Sequence, residues 1–121
     1  MTQSDSDYWT YRAKIERVVD GDTIDLKVDL GFRTYKNVRV RLSGVDTAET
    51  YGIAKESEEY ALGKEQTAFV KEFLSTDDEW DITFYSNGEK GSFGRWMGDV
   101  SVNGEKLTEA LITEWPDVKV E

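Results

Sequence analysis

Between Val18 and Glu49 the chain sets down three groups of side chains that could do chemistry together. Asp20, Gly21, Asp22 and Thr23 come first. Arg39 and Arg41 then alternate with Val38, Val40 and Leu42, and Asp46 and Glu49 follow three residues apart. Carboxylates are hard oxygen ligands that suit a divalent cation, and the planar fork of arginine matches the oxygens of a phosphate. Acids and guanidiniums in one short stretch therefore point to a divalent cation and a phosphate held side by side. Taken singly, each group has a plainer explanation. Asp-Gly-Asp is a turn, the arginines are the solvent face of a strand, and Asp46 with Glu49 is a solvated loop or a helix cap. Arg95, between Gly94 and Trp96, could stack on a ring or pair with an acid.

Composition narrows the chemistry. The chain has 121 residues, no Cys and no His. Thiolate and imidazole metal sites, disulfides, His general bases and Ser-His or Cys-His nucleophile pairs are thereby excluded. The length fits a single domain, 1–121, and 38% hydrophobic residues suffice for one core, with residues 1–7 expected to be flexible. Met1 to Asp7 is polar and has no apolar run, so neither a signal peptide nor a membrane anchor is expected. The default is a cytoplasmic, monomeric protein. A formal net charge of −10 opposes general nucleic-acid binding but leaves room for a local basic cleft.

The positioning elements follow from periodicity. Tyr11, Ala13 and Ile15 alternate in a first strand that ends at Asp20-Gly21. Ile24, Leu26, Val28 and Leu30 form a second, and Val38, Val40 and Leu42 a third. The breaks are too short for parallel crossovers, so the three form an antiparallel meander. Ser43 to Glu56 reads as a long loop. From Tyr60 to Leu74 the period becomes helical, with Ala61, Ala68, Phe69 and Phe73 as the expected core face. Trp80, Ile82 and Phe84 begin a fourth strand, Asn87-Gly88 signals a turn, and Trp96 to Val102 is a fifth strand ending at the turn Asn103-Gly104. Leu107, Ala110 and Leu111 suggest a short last helix before Pro116. Five strands with a helix between the third and fourth predict an α+β, mainly β, OB-type Greek-key barrel with one central helix and a short C-terminal one.

Three separated motifs in order give the chain a resemblance to the thermonuclease, or staphylococcal-nuclease-like, family from about Tyr11 to Trp115. They are Val19-Asp20-Gly21-Asp22-Thr23, Arg41 five residues before Asp46 in Val45-Asp46-Thr47-Ala48-Glu49, and Phe93-Gly94-Arg95. The resemblance implies a calcium-dependent (Ca2+) phosphodiesterase acting on DNA and RNA. It implies that Asp22, Asp46 and the Thr47 carbonyl ligate calcium, and that Arg41 and Arg95 grip the scissile phosphate. Glu49 would orient or deprotonate the attacking water, and Phe93 would stand with the two arginines in the substrate-binding set. Ala48 replaces a proline of the family pattern, which removes one restraint on the loop. The competing expectation is an OB barrel that binds nucleic acid or protein without chemistry. Degenerate domains of that kind lack the arginines or acids, whereas this chain has all of them. A calcium-buffering protein is disfavoured by the lack of an EF-hand loop.

Overall fold

The computed structural model describes residues 9–48, 56–91 and 94–120. Strand β1 (Trp9–Asp20) pairs antiparallel with β2 (Thr23–Asp29), and β2 with β3 (Tyr35–Leu42). Helix α1 (Glu58–Phe73) precedes β4 (Ile82–Lys90) and β5 (Trp96–Val102), and a two-residue β6 (Glu105–Lys106) leads into α2 (Leu107–Glu114) and a 3-10 turn, Pro116–Val118. The sheet order is β3-β2-β1-β4-β5-β6, and a parallel seam between β3 and β5 closes five of the strands into the expected OB-type barrel.

Alternation builds the core. In β2, Ile24, Leu26 and Val28 point inward while Asp25, Lys27 and Asp29 are half-exposed, so one strand lines the barrel and meets solvent by turns. Val40, Leu42, Ile82, Phe84 and Val100 fill the remaining interior, and Val70 of α1, Leu74 just after it, and Leu107 and Leu111 of α2 pack into the same core. Each fully buried Leu or Ile contributes about 1.5–3 kcal/mol of transfer free energy. Among the described residues no helix is long and apolar enough to cross a membrane.

Four local expectations need correction. Ala61 and Ala68 are exposed and Phe69 and Phe73 only half-buried. The inward face of α1 is Gly63, Gln66, Thr67 and Val70. The helix turns small and polar groups inward because it lies against the loop after β3 as well as against the core. Trp80 stands before β4 rather than in it, where its ring packs on Tyr35 (5.5 Å) and under Arg12 (5.4 Å). Asn87-Gly88 does not connect two strands. It lies within β4, where the pairing slips from Ser86↔Gly98 to Lys90↔Trp96, and the Asn87 side chain accepts from the Glu89 N–H at 3.0 Å. The loop from Ser43 is also less free than its composition suggests. Val45 is buried and bridges to Lys119, while the Asp46 N–H donates to the Val118 carbonyl at 2.8 Å. By contrast Asn103-Gly104 makes the expected turn, with φ of 55° and 84°.

Candidate active site

The Asp-Gly-Asp segment turns β1 into β2, and its own side chains shape it. Asp20 Oδ1 accepts the Asp22 N–H at 3.1 Å, which fixes the bend and sends the Asp22 side chain inward. Gly21 has to be glycine for a packing reason, because a Cβ there would meet the Thr47 side chain at 2.8 Å. That close approach seats the loop after β3 on the β1–β2 turn. The Thr47 N–H then donates to Asp22 Oδ2 at 3.0 Å, and the Thr23 hydroxyl to Asp22 Oδ1 at 3.1 Å.

Arg41 enters from β3, opposite Thr23 in register. Its Nη1 donates to the carbonyls of Leu42 and Val45, both at 2.7 Å, which locks the guanidinium plane. Its Nη2 is thereby held 3.5 Å from Asp22 Oδ2 and 3.4 Å from Asp46 Oδ1. Asp22 is 7% exposed, whereas the Asp46 side chain is 67% exposed, so one carboxylate is a wall of the site and the other its rim. Burial alone would raise the pKa of Asp22. The carboxyl of Asp20, the Thr47 N–H, the Arg41 guanidinium and the Thr23 hydroxyl outweigh it and hold Asp22 below the usual carboxylate range.

Asp22, Arg41, Asp46 and Thr47 are thus brought together from three segments. Arg95 lies just ahead of β5, two positions before Met97, the parallel partner of Arg41, and its carbonyl accepts the Gly91 N–H at 2.6 Å. The register therefore brings Arg95 to the same seam. Glu49 and Phe93 lie outside the described residues. Arg39, equivalent to Arg41 in sequence pattern, is exposed and forms a two-bond pair with Asp25 at 2.7 and 3.0 Å, the plain solvent-face role.

Gln66 was not anticipated. It is 1% exposed in α1, and its Oε1 accepts the Ala48 N–H at 2.8 Å, tying the helix to the site loop. A glutamine on the inward face of a helix is the signal that could have found it, because a buried amide requires partners.

Two carboxylate oxygens converging on one cationic nitrogen, beside a Thr47 hydroxyl that is buried without a partner among the described residues, form a hard-oxygen environment that fits a divalent cation. Three or more acids grouped for a metal are not found among the described residues, and the two that meet at Arg41 are Asp22 and Asp46. A hard cation can complete such a set with backbone carbonyls and water.

Residues 39–114 match the family described as staphylococcal nuclease homologue. The chain belongs to that family. The matched range holds Arg41, Asp46, Thr47, Glu49 and Arg95, while Asp22 joins them through the β1–β2 turn. Over 93 residues the chain is 34% identical to Endonuclease YhcR of Bacillus subtilis, which is 74% of this chain and 7% of that protein. It is 34% identical over 101 residues to the Thermonuclease of Staphylococcus hyicus, covering 84% of this chain and 54% of the relative. The Thermonuclease of Staphylococcus intermedius gives 34% over 102 residues, with 80% and 55% covered. The chain therefore spans about half the length of the two thermonucleases and a small part of the endonuclease.

Proposed function

We propose that this protein is a metal-dependent nuclease that hydrolyses phosphodiester bonds of single-stranded DNA and RNA, with calcium (Ca2+) as its metal. The observation that carries this reading is the clamped guanidinium of Arg41, held by two carbonyls and aimed between Asp22 and Asp46. Asp22, Asp46 and the Thr47 carbonyl would hold the cation, whose chemistry is to screen the phosphate charge and acidify water. Because the Asp22 carboxyl is held below the usual carboxylate range, no proton has to be displaced from it near neutral pH. Were both carboxylates to hold a cation, the Nη2 edge of Arg41 would be free to donate to a phosphate oxygen. Its Nη1 anchors keep the fork from swinging away.

A phosphodiester resists water through its own charge, and donors placed where charge grows in the transition state offset that resistance. Arg41 and Arg95 take this role at the β3–β5 seam. Glu49, three residues beyond Asp46, is the proposed group that orients or deprotonates the attacking water. A glutamate near its ordinary pKa of about 4.3 is ionised at neutral pH and acts by position rather than basicity.

The test is cleavage of end-labelled single-stranded DNA by the full chain with calcium, with magnesium and in excess chelator. Cleavage that needs a divalent ion and is best with calcium is expected, and undiminished cleavage in chelator overturns the reading. Glu49→Gln should bind calcium nearly normally and cleave poorly, since the amide has the carboxylate's shape but accepts no proton. A parallel loss of calcium affinity, measured by calorimetry, would make Glu49 a ligand instead.

A further inference from the structure

Helix α1 separates two grooves of opposite charge. On one side a groove of about 550 Å3 takes in Asp46 and Thr47 of the candidate site and is otherwise walled by Glu58, Glu59, Glu114 and Asp117, which repel a polyanion. On the other, between α1 and the end of β1, a groove of about 480 Å3 is lined by Arg17, Lys64 and Lys71 together with Tyr60 and Thr67, with no carboxylate among its described lining residues. In a chain of net charge −10 such a wall is the exception.

The sequence builds this wall as one helix face. Tyr60, Lys64, Thr67 and Lys71 recur at intervals of four, three and four, so they stand in a row. Lys64 and Lys71 are seven residues apart, about 10 Å at a rise of 1.5 Å per residue. A row of cations matches a chain of phosphates better than a single phosphate. The Lys64 ammonium lies 6.0 Å from the Tyr60 ring, so a flat aromatic face accompanies the charge, the pairing by which single strands are held without sequence preference. Thr67 donates its hydroxyl to the Gly63 carbonyl at 2.8 Å and leaves no unmet polar group on the floor. Arg17 stands opposite Asp25 in register and acts on it through its charge, while both hydrogen bonds to Asp25 come from Arg39.

Both walls of this groove also hold the candidate site. Strand β1 ends at Asp20, and the turn that follows it through Gly21 carries Asp22 into the candidate site. Helix α1 carries Gln66, next to Thr67, onto the Ala48 N–H. We propose that the groove is a track for the sugar-phosphate backbone of single-stranded nucleic acid extending from the Asp22–Arg41 centre. The proposal rests on the nuclease reading of that centre for its direction and adds a second binding region to it.

The test is binding without turnover. Fluorescence anisotropy in chelator would compare single-stranded DNA of about 4 and about 16 nucleotides, the range of site sizes for OB folds. The unsubstituted chain would be compared with Lys64→Gln/Lys71→Gln and Lys64→Arg/Lys71→Arg. The Gln pair is expected to lose affinity for the long strand by on the order of tenfold near 0.1 M salt, and its salt slope to fall by about 1.4, at about 0.7 for each phosphate no longer neutralised. The short strand should be affected little, the Arg pair should restore the long-strand binding, and thermal melting should show all three proteins folded. Unchanged long-strand binding by the Gln pair, or an equal loss on both lengths, overturns the track. Since no cleavage is read, a failure of the nuclease reading would appear separately, as no turnover with any divalent ion.

Discussion

Asp22 and Asp99 are both acids carried toward the interior by the same barrel, one at its candidate site and one under α2, and their carboxyls are displaced in opposite directions. Asp99 caps α2 from a distance. Its Oδ2 accepts the Thr108 hydroxyl at 2.5 Å and its Oδ1 the Val100 N–H at 2.8 Å and the Thr108 N–H at 3.4 Å. Lys106, at the N-cap of α2, offers no side-chain cap, so Asp99 takes over that duty. Burial nevertheless wins there and raises its pKa above the ordinary 3.8, despite those bonds and the charge of Lys106. Lys106 lies over the Tyr85 ring at 5.2 Å. At Asp22 burial is outweighed, and the difference lies in a second carboxyl and a guanidinium clamped at 3.5 Å. Hydroxyls and amides can bury an acid. At Asp22 the Asp20 side chain, the Thr47 N–H and the Arg41 guanidinium act together, and it takes that combination to keep a buried acid charged.

The strongest way to break the contrast is Arg41→Ala. It removes the clamped cation, so Asp22 should titrate higher, toward the behaviour of Asp99, in the metal-free protein. Loss of a donor matched to the transition state is worth about 3–4 kcal/mol, so cleavage should fall on the order of a hundred- to a thousandfold. Turnover near that of the wild type would remove Arg41 from the site. NMR titration of the Asp22 side chain checks the electrostatic half.

A smaller effect is expected at Asp99. Asp99→Ala strips the cap from α2 and should destabilise the fold by about 1 kcal/mol. Asp99→Asn keeps acceptors for the two N–H groups and a donor for Thr108, so it should melt close to the wild type at neutral pH. Denaturant midpoints decide between them, and an equal loss in both variants would show that the charge itself is needed.

The smallest effect is the pH dependence, for which the two acids predict opposite signs. A raised folded-state pKa means that the native protein binds the Asp99 proton more tightly than the unfolded chain. Relative to Asp99→Asn, the wild type should therefore gain stability as pH falls through the folded value of Asp99 toward 3.8. The folded-state pKa of Asp22 is depressed, so its contribution is present above 3.8 and disappears as pH falls from there through its lower folded value. Relative to Asp22→Asn, in chelator, the wild type should lose stability in that lower window. A gain at Asp22 or a loss at Asp99 on acidification would reverse the assignment.

The sequence by itself determined the barrel, because period-two alternation in β2 and β3 and the helical period after Tyr60 are local properties of the chain. It also placed Asp22, Arg41, Asp46 and Thr47 in one set through their motifs and the family resemblance. The resemblance picked Arg41 over Arg39, but only the tertiary structure gave the physical reason, since the two share a strand, a face and a residue type. Arg39 meets Asp25 across the ladder, whereas Arg41 meets the carbonyls of a loop pinned by the C-terminal segment. The inward face of α1, the hold of Gln66 on Ala48 and the raised pKa of Asp99 were likewise beyond sequence pattern. Each depends on what stands opposite a side chain across the fold. Periodicity reports which way a residue points along its own element and carries no information about the charge or dipole it will meet there.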